Sequence, residues 1–105
     1  AQIGRAIMAM HRAPATDWTV DALAKTAGMS RSAFSARFTQ LVGQSAMQYL
    51  TTWRMQLAQT MLRDTPHPLS TIADRLGYQS EPAFSRAFKR VFGTSPGRMR
   101  QQLNP

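Results

Sequence analysis

The residues of this chain best suited to chemistry are arginines set near the starts of two helical stretches. Arg31 and Arg86 lie in the N-terminal halves of segments opened by Ser30 and Ser80, where a guanidinium can meet O6 and N7 of guanine with two hydrogen bonds. Such a pair discriminates between bases by ~1–3 kcal/mol. The outer face of the earlier segment also carries Ser32, Ser35, Ala36 and Thr39; that of the later one carries Glu81, Ser85, Lys89 and Arg90. Glu81 can accept from a cytosine amino group, or as a first-turn carboxylate it can serve only the helix dipole. The Ser30 and Ser80 hydroxyls read first as helix caps that can also touch phosphate. Lys89, Arg90, Arg98 and Arg100 make a basic C-terminal quarter with no acid close by. Like charges at that density repel unless something neutralises them, so phosphate is their predicted partner. Arg37 and Arg54 stand beside apolar stripes, where their stems can cover the core.

A repeated pattern positions these residues. Leu23-Ala24, Gly28, Phe34-Ser35, Phe38, Gly43 and Ser45 return as Ile72-Ala73, Gly77, Phe84-Ser85, Phe88, Gly93 and Ser95. Each copy reads as two short helices hinged at a glycine, the sequence form of a helix-turn-helix. The four phenylalanines fall on helical stripes and are predicted core, since base-stacking aromatics would lie exposed among the arginines.

Reading along the chain, Ile3, Ala6, Ile7 and Met10 mark a first amphipathic helix from Gln2 to Arg12, ended at Ala13-Pro14. Thr19 caps the next, with Asp21 in its first turn and Leu23, Ala24 and Ala27 buried. Ser30 caps a third, with Phe34, Phe38 and Leu41 inward. Met47, Leu50, Trp53, Leu57 and Met61 line one side of an uninterrupted stretch over residues 45–64. Taken as ~19 residues it spans roughly 28 Å, comparable with the ~34 Å repeat of the B-DNA major groove. Pro66 and Pro68 break the chain there. A helix from Leu69, a hinge at Gly77-Tyr78 and a helix capped by Ser80 follow; Glu81 and Pro82 suit its first turn, with Ala83, Phe84, Ala87, Phe88 and Val91 inward. Ser95-Pro96 opens a last helix. The prediction is an all-α fold of about seven helices, in which helix-turn-helix units at about 19–42 and 68–92 are joined by a long central helix.

Composition narrows the function. Thirteen Lys and Arg against five acids give a net charge of +8 over 105 residues, which asks for a polyanion: nucleic acid first, an anionic membrane surface second. There is no cysteine, and His11 and His67 stand alone, so no metal site or cofactor is predicted. The acids and histidines form no nucleophile–base or metal-ligand arrangement, which argues against an enzyme. No apolar run approaches the ~20 residues that span a bilayer. The start at Ala1 rather than Met suggests a fragment or processed product.

The run Ile72-Ala73-Asp74-Arg75-Leu76-Gly77-Tyr78, with Ala83-Phe84-Ser85-Arg86-Ala87-Phe88-Lys89-Arg90 and Gly93-Thr94-Ser95-Pro96, closely resembles the C-terminal signature of AraC/XylS-type transcription regulators. Leu23-Ala24, Gly28-Met29-Ser30 and Phe34-Ser35 resemble that family's less regular first reader, and Trp53-Arg54-Met55 its linker helix. The resemblance implies two reading helices in successive major grooves on one side of a duplex. By motif position the base readers are Arg31, Ser32, Ser35 and Ala36, then Glu81, Pro82, Ser85 and Arg86. It further implies an N-terminal effector-sensing domain beyond this fragment, activation through RNA polymerase, and a cytoplasmic, nucleoid-associated protein. Ser32, Ser35 and Ala36 are short, so the first reader is expected to lean on Arg31, methyl contacts, water or DNA shape. Met29 stands opposite Tyr78, and Met99 where an aromatic is common. The competing expectation is a non-specific architectural DNA- or RNA-binding protein, separable because specific affinity exceeds non-specific by ~10³ or more.

Overall fold

The computed structural model describes residues 1–104. They form seven helices, α1 Gln2–Arg12, α2 Val20–Ala27, α3 Arg31–Val42, α4 Ala46–Asp64, α5 Leu69–Arg75, α6 Glu81–Phe92 and α7 Pro96–Leu103, with no strand among the described residues. The chain divides into two compact units, Ala1–Thr51 and the part from Thr52 on.

Local chemistry sets the helix starts. Thr19 accepts from the Ala22 N–H at 3.0 Å, Ser30 from Ala33 at 3.3 Å, Ser80 from Ala83 at 3.2 Å and Ser95 from Arg98 at 3.2 Å. Each hydroxyl satisfies a first-turn donor that has no partner inside its helix. Ser45 and Gln48 go further: the Gln48 N–H donates to Ser45 Oγ at 3.2 Å and the Ser45 N–H to Gln48 Oε1 at 3.1 Å, a reciprocal capping box for α4.

The two hinges share one backbone solution. Gly28 (φ 72°) and Gly77 (φ 87°) sit in the left-handed region, which penalises any residue with a Cβ. Around the first, the N–H of Met29 donates to Ala24 and that of Gly28 to Lys25; around the second, Tyr78 donates to Ala73 and Gly77 to Asp74. Both are Schellman closures, so the repeat in sequence is a repeat in hydrogen bonding.

The first unit buries Ile3, Ala6, Met10, Leu23, Ala24, Ala27, Phe34, Phe38, Ala46 and Leu50. The second buries Met55, Ala58, Leu62, Ile72, Ala73, Leu76, Phe84, Ala87 and Phe88. Two expectations are corrected. The single α4 stripe is incomplete: of its five residues only Leu50 is buried, joined by Ala46 in the first core and by Met55, Ala58 and Leu62 in the second, while Met47, Leu57 and Met61 pack half-buried against those cores and Trp53 is half-buried. One helix serving two cores shifts its buried register between Leu50 and Met55. Leu41 and Val91, expected inside, are 57% and 43% exposed. The inward row follows i, i+4, i+8 instead, so Val42 and Phe92 pack against the cores, Phe92 with its ring centroid 4.6 Å from that of Phe88.

Candidate nucleic-acid interface

The buried phenylalanines fix the rotation of both reader helices. With Phe34 and Phe38 fully buried, positions on the far side of α3 must face water, and Arg31, Ser32, Ser35 and Ala36 are all exposed. In α6, Phe84, Ala87 and Phe88 do the same for Glu81, Pro82, Arg86, Lys89 and Arg90; Ser85 is half-buried at the edge. Ser30 and Ser80 are exposed at the helix starts, where the helix dipole favours an anion. Arg98 is exposed on α7.

The two faces differ in chemistry. On α3 the Arg31 guanidinium lies 3.8 Å from the Asp21 carboxylate, both side chains about two-thirds exposed (69% and 66%). Pairs of this kind contribute ~1 kcal/mol or less, so Arg31 can be drawn away by a base edge or phosphate. Ser32, Ser35 and Ala36 add only short side chains. On α6, Arg86, Lys89 and Arg90 lie one helical turn apart or less, and no salt bridge holds them among the described residues.

Arg100 is a correction. It was expected on phosphate, but its guanidinium faces inward: Nη1 donates to the His67 carbonyl at 2.6 Å, Nε to Leu62 at 3.2 Å and Nη2 to Thr65 at 3.3 Å. Asn104 Nδ2 adds a bond to Leu62 at 3.1 Å. The last turn of α4 leaves carbonyls without helical partners, and the prolines that follow supply no N–H. Arg100 fills that deficit at the negative end of the helix dipole. Two further roles were missed. Arg5 Nη2 donates to the Ala27 carbonyl at 3.1 Å and Gln2 Nε2 to Gly28 at 3.4 Å, pinning the first hinge to α1. Arg54 places its guanidinium 5.6 Å from the Tyr78 ring centroid, a cation–π contact beside the second hinge. Burial pushes the Tyr78 hydroxyl above its usual range, and the cations of Arg54 and Arg90 draw it part of the way back. Arg37 points outward to Gln40 at 3.3 Å. His11 pairs with the Tyr49 hydroxyl at 2.8 Å, and the described residues hold no cluster of three or more acids and histidines placed to share a metal ion. No described helix is long and apolar enough to cross a membrane.

Comparison with known proteins gives these faces a context. A sequence profile for the helix-turn-helix domain matches residues 23–102. A putative AraC-like transcription regulator of Streptomyces antibioticus is 47% identical over 98% of this chain, which spans 34% of that relative's length. The regulatory protein SoxS of Salmonella typhimurium is 36% identical over 80% of this chain and 78% of its own. Among solved structures, the DNA-binding domain of the global transcriptional factor AdpA, in complex with a target DNA, superposes with a TM-score of 0.92 at 30% identity, covering 96% of this chain and 91% of that one. By profile, relatives and fold, the chain belongs to the AraC-type helix-turn-helix family of DNA-binding transcription regulators.

Proposed function

We propose that this chain reads one specific duplex site through α3 and α6, which enter successive major grooves. The observation that carries the reading is the pair of serine-capped helices whose buried phenylalanines turn Arg31 and Arg86 outward. Arg31 and Arg86 contact base edges; Ser32, Ser35, Ala36, Glu81, Pro82 and Ser85 complete the two reading surfaces by close fit, water or capping. Lys89, Arg90 and Arg98, with the N-terminal turns behind Ser30 and Ser80, hold phosphates and set the register. The solved AdpA domain is bound to target DNA, which supports a duplex as the ligand here.

The chain binds and positions, with no chemical step on the nucleic acid. In the whole protein we assign it to transcription activation through RNA polymerase in the bacterial cytoplasm, under control of an effector-sensing N-terminal domain. Selection of bound sites from a random duplex pool tests the reading. The expected product is one consensus with two halves about one helical turn, ~10 base pairs, apart. A pool that stays random through successive rounds returns the function to non-specific binding.

A further inference from the structure

The first unit carries a second surface that the reader positions do not line. An open groove of about 390 Å³ runs along α1, bounded by Arg5, Met8, Ala9, Arg12, Trp18 and Thr26. Its floor is apolar, and Met8 is 59% exposed in a helix whose Ile3, Ala6 and Met10 are buried. Positions 5, 8, 9 and 12 form one helical stripe, so the two arginines stand about 10 Å apart along the axis with the apolar patch between them. The bond from Arg5 to the Ala27 carbonyl at 3.1 Å holds one cation at the groove's edge, and no acid lines it.

We propose that this groove docks an acidic amphipathic segment of a partner protein, seating an apolar side chain on Met8, Ala9 and Trp18 between two carboxylates that pair with Arg5 and Arg12. Charge selects the occupant: two cations with no acid attract an anionic surface, and a second copy of a chain at +8 is repelled. Openness selects its size, because a site for a small ligand encloses most of the ligand's surface and this groove does not.

The test titrates the labelled chain, followed by NMR, with a synthetic stapled helical peptide bearing Glu at i and i+7 and Leu at i+3 and i+4. Shifts are expected in α1, the Trp18 indole N–H and Thr26, and replacing both Glu by Gln weakens binding about tenfold or more. Arg12→Glu abolishes binding, and a peptide with Lys in place of the facing Glu restores it. Met8→Ser weakens the peptide while leaving duplex affinity unchanged, which separates this surface from DNA reading. Equal binding by the Gln peptide, no recovery in the charge swap, or shifts centred on Arg86 and Lys89 would each overturn the proposal. Hexanoate moving the same groove residues as strongly as the peptide would replace the segment with a small carboxylate and overturn it as well.

Discussion

Arg100→Met removes the guanidinium but keeps an apolar stem, isolating the three bonds that Arg100 makes to the Leu62, Thr65 and His67 carbonyls. Hydrogen bonds from a charged donor are worth ~1.5–3 kcal/mol each in favourable settings, but this cluster is only partly buried, so water can replace some of them. A loss of about 2–4 kcal/mol is therefore expected. Against a total of ~5–15 kcal/mol that is a large fraction, equivalent to a fall in Tm of ~10–20 °C for a domain near 100 residues. Urea unfolding followed by the single tryptophan of the second unit, Trp53, in a Trp18→Phe background reads the effect where it arises. Arg100→Lys, with one point charge in place of a three-pronged donor, should recover only part of the loss. A phosphate ligand would behave in the opposite way. Stability would hold, and the slope of log affinity against log salt would drop by ~0.9, the release of one counterion. That pattern in Arg100→Met would refute the capping role and return Arg100 to the DNA face.

Other consequences follow from the same geometry. Arg86→Ala should cost ~1–3 kcal/mol on the selected duplex and relax preference at one base pair, read by competition against single-base variants. Lys89→Ala should weaken cognate and scrambled duplex alike and lower the salt slope by about one unit. Gly28→Ala and Gly77→Ala force a Cβ into φ 72° and φ 87°, and each should cost ~1–2 kcal/mol in denaturant unfolding. Burial raises the Tyr78 pKa in the folded state, so its contribution is intact below the ordinary tyrosine value of ~10 and is lost as pH rises through the folded value. Thermal unfolding between pH 9 and 12 should show that decline, and Tyr78→Phe should flatten it.

What the sequence revealed was local. Thr19, Ser30 and Ser80 cap because a hydroxyl reaches an N–H three residues on, and Gly28 and Gly77 turn because φ is a property of one residue. Phe34, Phe38, Phe84 and Phe88 were legible because a spacing of four keeps one helical face inward. What it concealed was set by distant partners. Arg100 finds its carbonyls 33 to 38 positions away, and among four cations in a basic tail nothing local marks the one that turns inside. The signal available was indirect: Pro66 and Pro68, by supplying no N–H after a long helix, leave acceptors that some donor must fill. The register of α4 was hidden for a related reason, since a periodicity count assumes one core and this helix belongs to two.

Within the candidate site, the repeat separates what folding demands from what recognition is free to choose. Positions 24 and 73, 34 and 84, and 38 and 88 are the same residue in each pair and buried, while the hinge glycines answer to backbone conformation. Except for Ser35 and Ser85, the proposed reading positions have diverged: Arg31 stands in the place of Glu81, Ser32 in that of Pro82, Ala36 in that of Arg86, Thr39 in that of Lys89 and Gln40 in that of Arg90. Packing cannot explain the difference, because these side chains are exposed. Under the proposed reading, α6 supplies most of the cationic grip and α3 a small-residue surface that fits close against the groove with Arg31 at its edge. A dimer with one reader per chain presents identical faces and matches a palindrome. On the proposed reading, two unlike faces in one chain would match an asymmetric sequence instead, and that asymmetry would give the bound protein a single direction along the duplex.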